Sequence, residues 1–331
     1  MLVPPLVWAL TIAVIVAMLA YDFFFHVRKP HEPTLAEAAR WSALYVGIAV
    51  AFGIGIGVLG GGEAGQAYFA GYLTEKALSV DNLFVFLIIM GSFAVPRMLQ
   101  QKVLLFGIAV ALLARTAFIF AGAALVQEFS WVFYVFGAIL LVTGVQLLRE
   151  HGPKDQADNV AVRLATRFLK TTDQYHGDRM TTRENGRRRL TPMLLVMVAI
   201  GGTDILFALD SIPAIFGLTQ DVFIVFTATA FSLLGLRQLY FLIDGLLDRL
   251  VYLSYGLAAI LAFIGAKLVL HALHENSVPF VNGGQPLQVV EVSTALSLGV
   301  IIGVLAVTVL VSLVSPAGRA RALATRADSS L

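Results

Sequence analysis

Apolar runs long enough to cross a lipid bilayer follow one another along almost the whole chain, and they leave little choice of fold. About 18–20 apolar residues span the hydrocarbon core as a helix, and several runs here reach that length. Of the 331 residues, 58% are hydrophobic and 13% charged, with mean hydropathy +0.84. Soluble domains are about 25% charged. The chain reads as an all-α polytopic membrane protein.

Nine spans can be drawn, at roughly 3–25, 42–60, 73–95, 103–126, 131–148, 192–216, 221–242, 250–272 and 289–314. The first is longer than a signal-peptide core, lacks a basic leader and is read as retained. Trp8, Trp41 and Trp131 fall near span ends, as in an interfacial aromatic belt. The connections are short except for 149–190, a polar loop with Arg163, Arg167, Arg179, Arg183 and the run Arg187-Arg188-Arg189. Cytoplasmic connections carry such basic residues, and this reading is preferred to a nucleic-acid site. The same placement puts Arg28, Arg40, Arg97, Lys102, Arg237 and Arg249 inside. The amino terminus then lies outside and the carboxyl terminus inside. The chain divides into a first membrane half (1–148), the basic loop (149–190), a second membrane half (191–315) and a cytoplasmic tail (316–331).

Two segments break the apolar pattern. Glu75 and Asp81 lie in E-K-A-L-S-V-D-N-L-F-V-F, and Asp204 and Asp210 in D-I-L-F-A-L-D-S-I-P-A-I-F. An ionisable group in the hydrocarbon costs about 2.5–3.5 kcal/mol even on lenient insertion scales. Two in each segment point to a use. The shared plan, in a third span running inward and a sixth running outward, suggests an internal repeat inverted in the membrane, as in many secondary transporters. Six residues of unbroken helix turn about 600°, leaving the acids of each pair roughly 120° apart. A break beside Pro213, matched in the earlier segment, would let Asp81 and Asp210 face each other. Ser79, Asn82 and Ser211 would re-satisfy the freed backbone groups.

Glu75, Asp81, Asp204 and Asp210, with Asn82 and Ser211 as auxiliary ligands, form an all-oxygen donor set. Such a set suits manganese, magnesium or calcium better than zinc or copper. None of the six histidines lies in either segment; His271 and His274 fall near the outer end of the eighth span. Arg115 and Lys267 are the intramembrane counter-charges, and four acids against two bases leave the charge of one divalent cation. Carboxylates withdrawn from water hold protons more firmly, so protons can compete with the metal. The plainer alternative is that acids and bases pair only to hold the bundle together.

Cysteine is absent, which excludes disulfides, thiolate metal sites, iron–sulfur clusters and cysteine nucleophiles. No nucleophile–base constellation stands out, so neither an enzyme nor a permanently bound cofactor is expected. The glycines from Gly53 to Gly62 lack the Lys-Ser/Thr of a phosphate loop and suit helix packing and a flexible exit. Asp22, Asp244 and Asp248, near inner span ends, are read as interfacial.

The two acidic motifs, with A-R-T-A-F-I-F-A-G at 114–122, L-G-L-R-Q-L-Y-F-L at 234–242 and F-I-G-A-K-L at 263–268, resemble the TerC family of integral membrane proteins. The likeness covers about 40–275. It implies a bacterial inner-membrane protein of the tellurium-resistance and manganese-exporter type, with a proposed kinship to the lysine-exporter superfamily. It carries the family's acidic positions onto Glu75, Asp81, Asp204 and Asp210. Two departures stand out: Gly201 where many relatives have glutamate, and Ala228-Thr229 where many have Ser-Asn. Tellurite is an oxyanion that a carboxylate-rich pocket repels, so tellurium resistance would be indirect.

The function expected is export of a divalent cation, manganese foremost and calcium or magnesium next, in exchange for protons. Expected partners are the bilayer, metal ions and protons, with homo-oligomers or other membrane proteins as further candidates. The competing reading is a membrane scaffold or assembly protein linked to tellurium resistance or envelope stress, or one delivering metal to secreted proteins.

Overall fold

The structure is a computed structural model that describes residues 3–27, 33–129, 131–149, 175, 177, 179–184, 187–243, 251–276, 278 and 281–315. At Asp81 and a few other helix or strand positions only the backbone is described.

Five helices form the first half: α1 (Pro5–Asp22), α2 (Leu35–Gly60), α3 (Gly62–Ser92), α4 (Arg97–Glu128) and α5 (Val132–Arg149). A π-helical turn, Phe23–Val27, extends α1. After a two-stranded antiparallel hairpin, β1 (Thr181–Glu184) and β2 (Arg187–Leu190), come α6 (Pro192–Phe216), α7 (Val222–Leu233), α8 (Leu236–Ile243), α9 (Leu253–His274) and α10 (Thr294–Val314). Local chemistry sets several starts. Pro5 and Pro192 open α1 and α6, where the missing N–H costs nothing. The side chains of Thr34, Asp221 and Ser293 accept from the first free amides of α2, α7 and α10.

Seven of the described helical segments are long and apolar enough to cross a membrane, α7 and α8 together making one of them. Val132–Leu148 of α5 is a shorter apolar helix. The ninth segment, α3, is long enough but carries Glu75, Lys76 and Asp81. The all-α polytopic class therefore holds. Large apolar side chains lie exposed along α1 (Leu6, Leu10, Val14) and α10 (Ile302, Val307, Leu310), the surface a lipid phase covers.

The helices outrun the apolar spans that located them. α2 begins at Leu35, α3 at Gly62 and α4 at Arg97, because a helix continues into the interface wherever its cap lies further out. α2 and α3 are joined by Gly61 alone, at φ +96°, a conformation glycine adopts without steric penalty. The glycine run is thus a tight turn and a packing surface, where a flexible exit was expected. A Cβ on Gly65 would lie 2.8 Å from the Gly57 Cα, and one on Gly53 would lie 2.6 Å from the ring of Tyr68.

The expected helix breaks are not where the sequence placed them. α6 runs unbroken through Pro213 to Phe216, and α3 is continuous past Asp81. Pro213 removes the N–H that would bond the Leu209 carbonyl, but only three residues of α6 follow it, so little helix remains beyond it to be deflected. The break falls in the seventh span, between α7 and α8, at Gly235 with φ +81°. A Cβ there would lie 2.8 Å from the Cβ of Tyr45.

α3 is the hub of the bundle, packing against α2, α6, α7 and α10. α4 packs on α6 and α7, and α5 on α9. The α5–α9 seam brings Gly137 and Gly265 so close that a Cβ on either would lie 3.0–3.1 Å from the other's carbonyl oxygen. Small residues at close crossings are how membrane helices gain van der Waals contact. Among the described residues four apolar clusters make up the core, one of them joining α4, α6 and α7 around Ile119, Ile212 and Val225. Of the other three, one joins α3, α4 and α6 around Phe86, Val103 and Ile200, a second joins α5 and α9 around Phe133 and Ile264, and a third joins α2, α3 and α7 around Tyr68 and Phe231.

Gly65→Val is expected to lower thermal stability by about 1–3 kcal/mol, the usual cost of overpacking. Gly55, with nothing within 4 Å of its Cβ position, should accept alanine with no loss. Thermal unfolding of both variants in detergent checks the pair.

Candidate functional site

Among the apolar clusters the packing turns polar. Glu75 of α3, Arg115 of α4 and Asp204 of α6 are each at most 1% exposed. Arg115 Nη1 pairs directly with Glu75 Oε1, and Nη2 lies 3.5 Å from Asp204 Oδ1. Close helix crossings set this geometry. A Cβ on Gly107 would lie 2.8 Å from Ile200, and one on Gly201 would lie 3.2 Å from Val110. With α4 held so near α6, the guanidinium reaches both carboxylates. The glycine at 201, one of the two departures, is therefore a packing position that seats α6 on α4.

Two acids share one guanidinium in a region without water-facing surface. Among the described residues, Asp204 Oδ2 has no hydrogen-bond partner, and neither do the buried hydroxyls of Thr74, Ser79, Ser211, Thr229 and Ser232. Leaving one such group unpaired costs about 1–3 kcal/mol, and these open oxygens concentrate on α3, α6 and α7.

The remaining sequence-selected residues lie as follows. Asn82 and Ser211 are buried on α3 and α6. Asp210 is half-buried on α6. The side chain of Asp81 lies outside the described residues, and with it the expected facing of Asp81 and Asp210. Among the described side chains, the first acids of the two motifs are brought together. Lys267 is half-buried on α9 and donates to the Ser297 hydroxyl of α10 at 3.1 Å. Among the described residues no group of three or more acids and histidines converges closely enough to hold a metal ion. His271 contacts Gln220 and Glu275, and His274 contacts Glu291, away from the acidic centre.

The contacts of two polar features escaped the sequence reading. Lys76 donates to the carbonyl oxygen of Ser232 at 2.9 Å. That carbonyl belongs to the last turn of α7, where the break leaves acceptors without helical partners and a cation meets the negative end of the helix dipole. The isolated Gly235 was the available signal. The second feature is a clamp around Asp22, which was read as interfacial and is in fact 4% exposed. Its carboxylate accepts from Tyr45 Oη at 2.9 Å, from Arg237 Nε and Nη2 at 3.2 and 2.9 Å, and from Gln238 Nε2 at 3.0 Å. Arg237 Nη1 also donates to Gln101 Oε1 at 2.6 Å. The clamp ties α1, α2, α4 and α8 together at the bundle end that the charge pattern assigns to the cytoplasm. Asp244 and Asp248 lie outside the described residues.

Arg115→Met should destabilise the protein by about 3–5 kcal/mol, because it strands two buried acids. The triple variant Glu75→Gln/Arg115→Met/Asp204→Asn should recover most of that loss. Unfolding in detergent measures both.

Residues 60–320 match the integral membrane protein TerC family. Over 327 residues the chain is 60% identical to an uncharacterized membrane protein of Mycobacterium tuberculosis, covering 97% of this chain and 82% of the relative. An uncharacterized membrane protein of Myxococcus xanthus is 41% identical over 311 residues, covering 94% and 92%. The Alx protein of Escherichia coli K12, whose name describes a candidate membrane-bound redox modulator, is 36% identical over 318 residues, covering 93% and 94%. No solved structure matches the chain. A match over most of the spans and both acidic motifs decides the assignment: this chain belongs to the TerC family of integral membrane proteins.

Proposed function

We propose that the protein exports a divalent cation, manganese foremost, across a bacterial inner membrane in exchange for protons. The observation that carries this reading is the buried centre of Glu75, Arg115 and Asp204, with more acid than base and unpartnered oxygens around it. Hard oxygen donors of this kind suit manganese, magnesium or calcium. The Arg115 guanidinium stands where a cation is wanted and is tethered to α4. In this reading it gives way when the ion enters and returns when the ion leaves, so the centre is never left uncompensated. Asp81, Asp210, Asn82 and Ser211 complete the ligand and proton-exchange set, and Lys267 supplies a second counter-charge. The broken α7–α8 span supports transport, because discontinuous helices are common at transporter sites. An inverted repeat of the two acidic segments would give the inward- and outward-facing states.

A second reading has a specific observation in its favour. Arg115 neutralises parts of both acids in the conformation described, as it would in a scaffold whose ion pairs hold a bundle that recruits partners. Redox modulation, the activity in one relative's name, would not use thiols here, since the chain has no cysteine.

Purified protein in liposomes loaded with a metal-sensitive dye separates the two. Manganese flux that responds to a pH gradient and falls about 10–100-fold in Asp81→Asn or Asp210→Asn, the scale of one lost charged contact, is the expected result. Absence of flux for manganese, calcium and magnesium from folded, inserted protein would favour the scaffold.

A further inference from the structure

Hydroxyls in apolar helices normally bond their own backbone one turn back, and five in this bundle do. Thr116, Thr203, Thr227, Ser297 and Thr308 donate to Leu112, Ala199, Phe223, Ser293 and Val304 at 2.6–3.0 Å. Thr74, Ser79, Ser211, Thr229 and Ser232 do not, although each is at most 2% exposed and has no other partner among the described residues.

These five share a place. Gly71 marks the face of α3 that meets α6 and α7, since its Cβ would lie 3.5 Å from Ile215 and 3.2 Å from Ala228. Helical spacings of three and four residues repeat that face at Thr74, Glu75 and Ser79. On α6 the face of Ile215 repeats at Ser211 and Asp204, and on α7 the face of Ala228 repeats at Ser232, with Thr229 beside it. The open hydroxyls therefore lie along the α3–α6–α7 seam that contains both carboxylates.

We propose that these hydroxyls form a row of neutral oxygen donors that replaces the hydration shell of a hard divalent cation on its way to and from Glu75 and Asp204. This rests on the cation-export reading and adds residues to it. Thr74, Thr229 and Ser232 become determinants of ion selectivity. Neutral donors lower the cost of stripping water without binding the ion so tightly that it cannot leave. Lys76, bonded to the Ser232 carbonyl, sets a positive charge beside the row that a passing cation must displace or pass.

The test uses the full chain in proteoliposomes and compares it with Thr74→Val, Ser79→Ala, Ser232→Ala and the three combined. The combined variant should raise the KM for manganese about tenfold or more, the scale of a lost contact to a charged group. Its manganese-induced thermal shift should shrink, while the metal-free Tm stays level or rises, because an unpartnered hydroxyl contributes no bond. Unchanged KM and thermal shift would overturn the proposal, as would a metal-free Tm that falls in step with flux, which marks the hydroxyls as structural. If the unsubstituted protein gives neither flux nor a thermal shift with manganese, magnesium or calcium, the export reading fails first and this one with it.

Discussion

A charge held inside an apolar bundle must be compensated on the spot, and the contact of Arg115 with Glu75 and Asp204 is how this protein meets that requirement at its centre. The three residues stand on three helices from both halves of the chain. None of those helices can shift far without exposing a carboxylate or a guanidinium to hydrocarbon, at a cost of several kcal/mol. The glycines of α4 and α6 let the backbones come close enough for the contact, and the apolar clusters pack around it. Packing and electrostatics therefore depend on one another: close crossings bring the charges together, and the paired charges hold the crossings in register.

The same logic explains the second polar cluster. Asp22, at the end of α1, would cost α1 its place in the bundle if it were unpaired. Bonded to Arg237, Gln238 and Tyr45, it ties the first helix to the rest. Its principal partner is 215 residues away, so no local pattern could announce the pairing. An acid near a predicted span end reads as interfacial because most such acids are. The break at Gly235 is similar: one glycine in an apolar run is common, and it became a break because Tyr45 packs against it and Lys76 satisfies a carbonyl it frees.

The all-α membrane class and the nine segments were legible because hydrocarbon imposes a length and a composition on anything that crosses it. The family was legible because the acidic motifs are costly in a membrane and hence specific. The hairpin of β1 and β2 was passed over, although the residues between its strands read Asn-Gly, the strongest short hairpin signal. It lies in a loop whose basic charge dominated the reading.

What the sequence determined by itself is which residues enter the bilayer and which of them are too polar to be there without a role, since both follow from transfer energies of single residues. Tertiary structure alone decided who meets whom: that Glu75 and Asp204 share Arg115, that Lys267 goes to Ser297, that Asp22 is buried, and that the seventh span is the broken one. Those outcomes depend on helix crossings and rotation, which small residues far apart in the chain set together and no local pattern encodes.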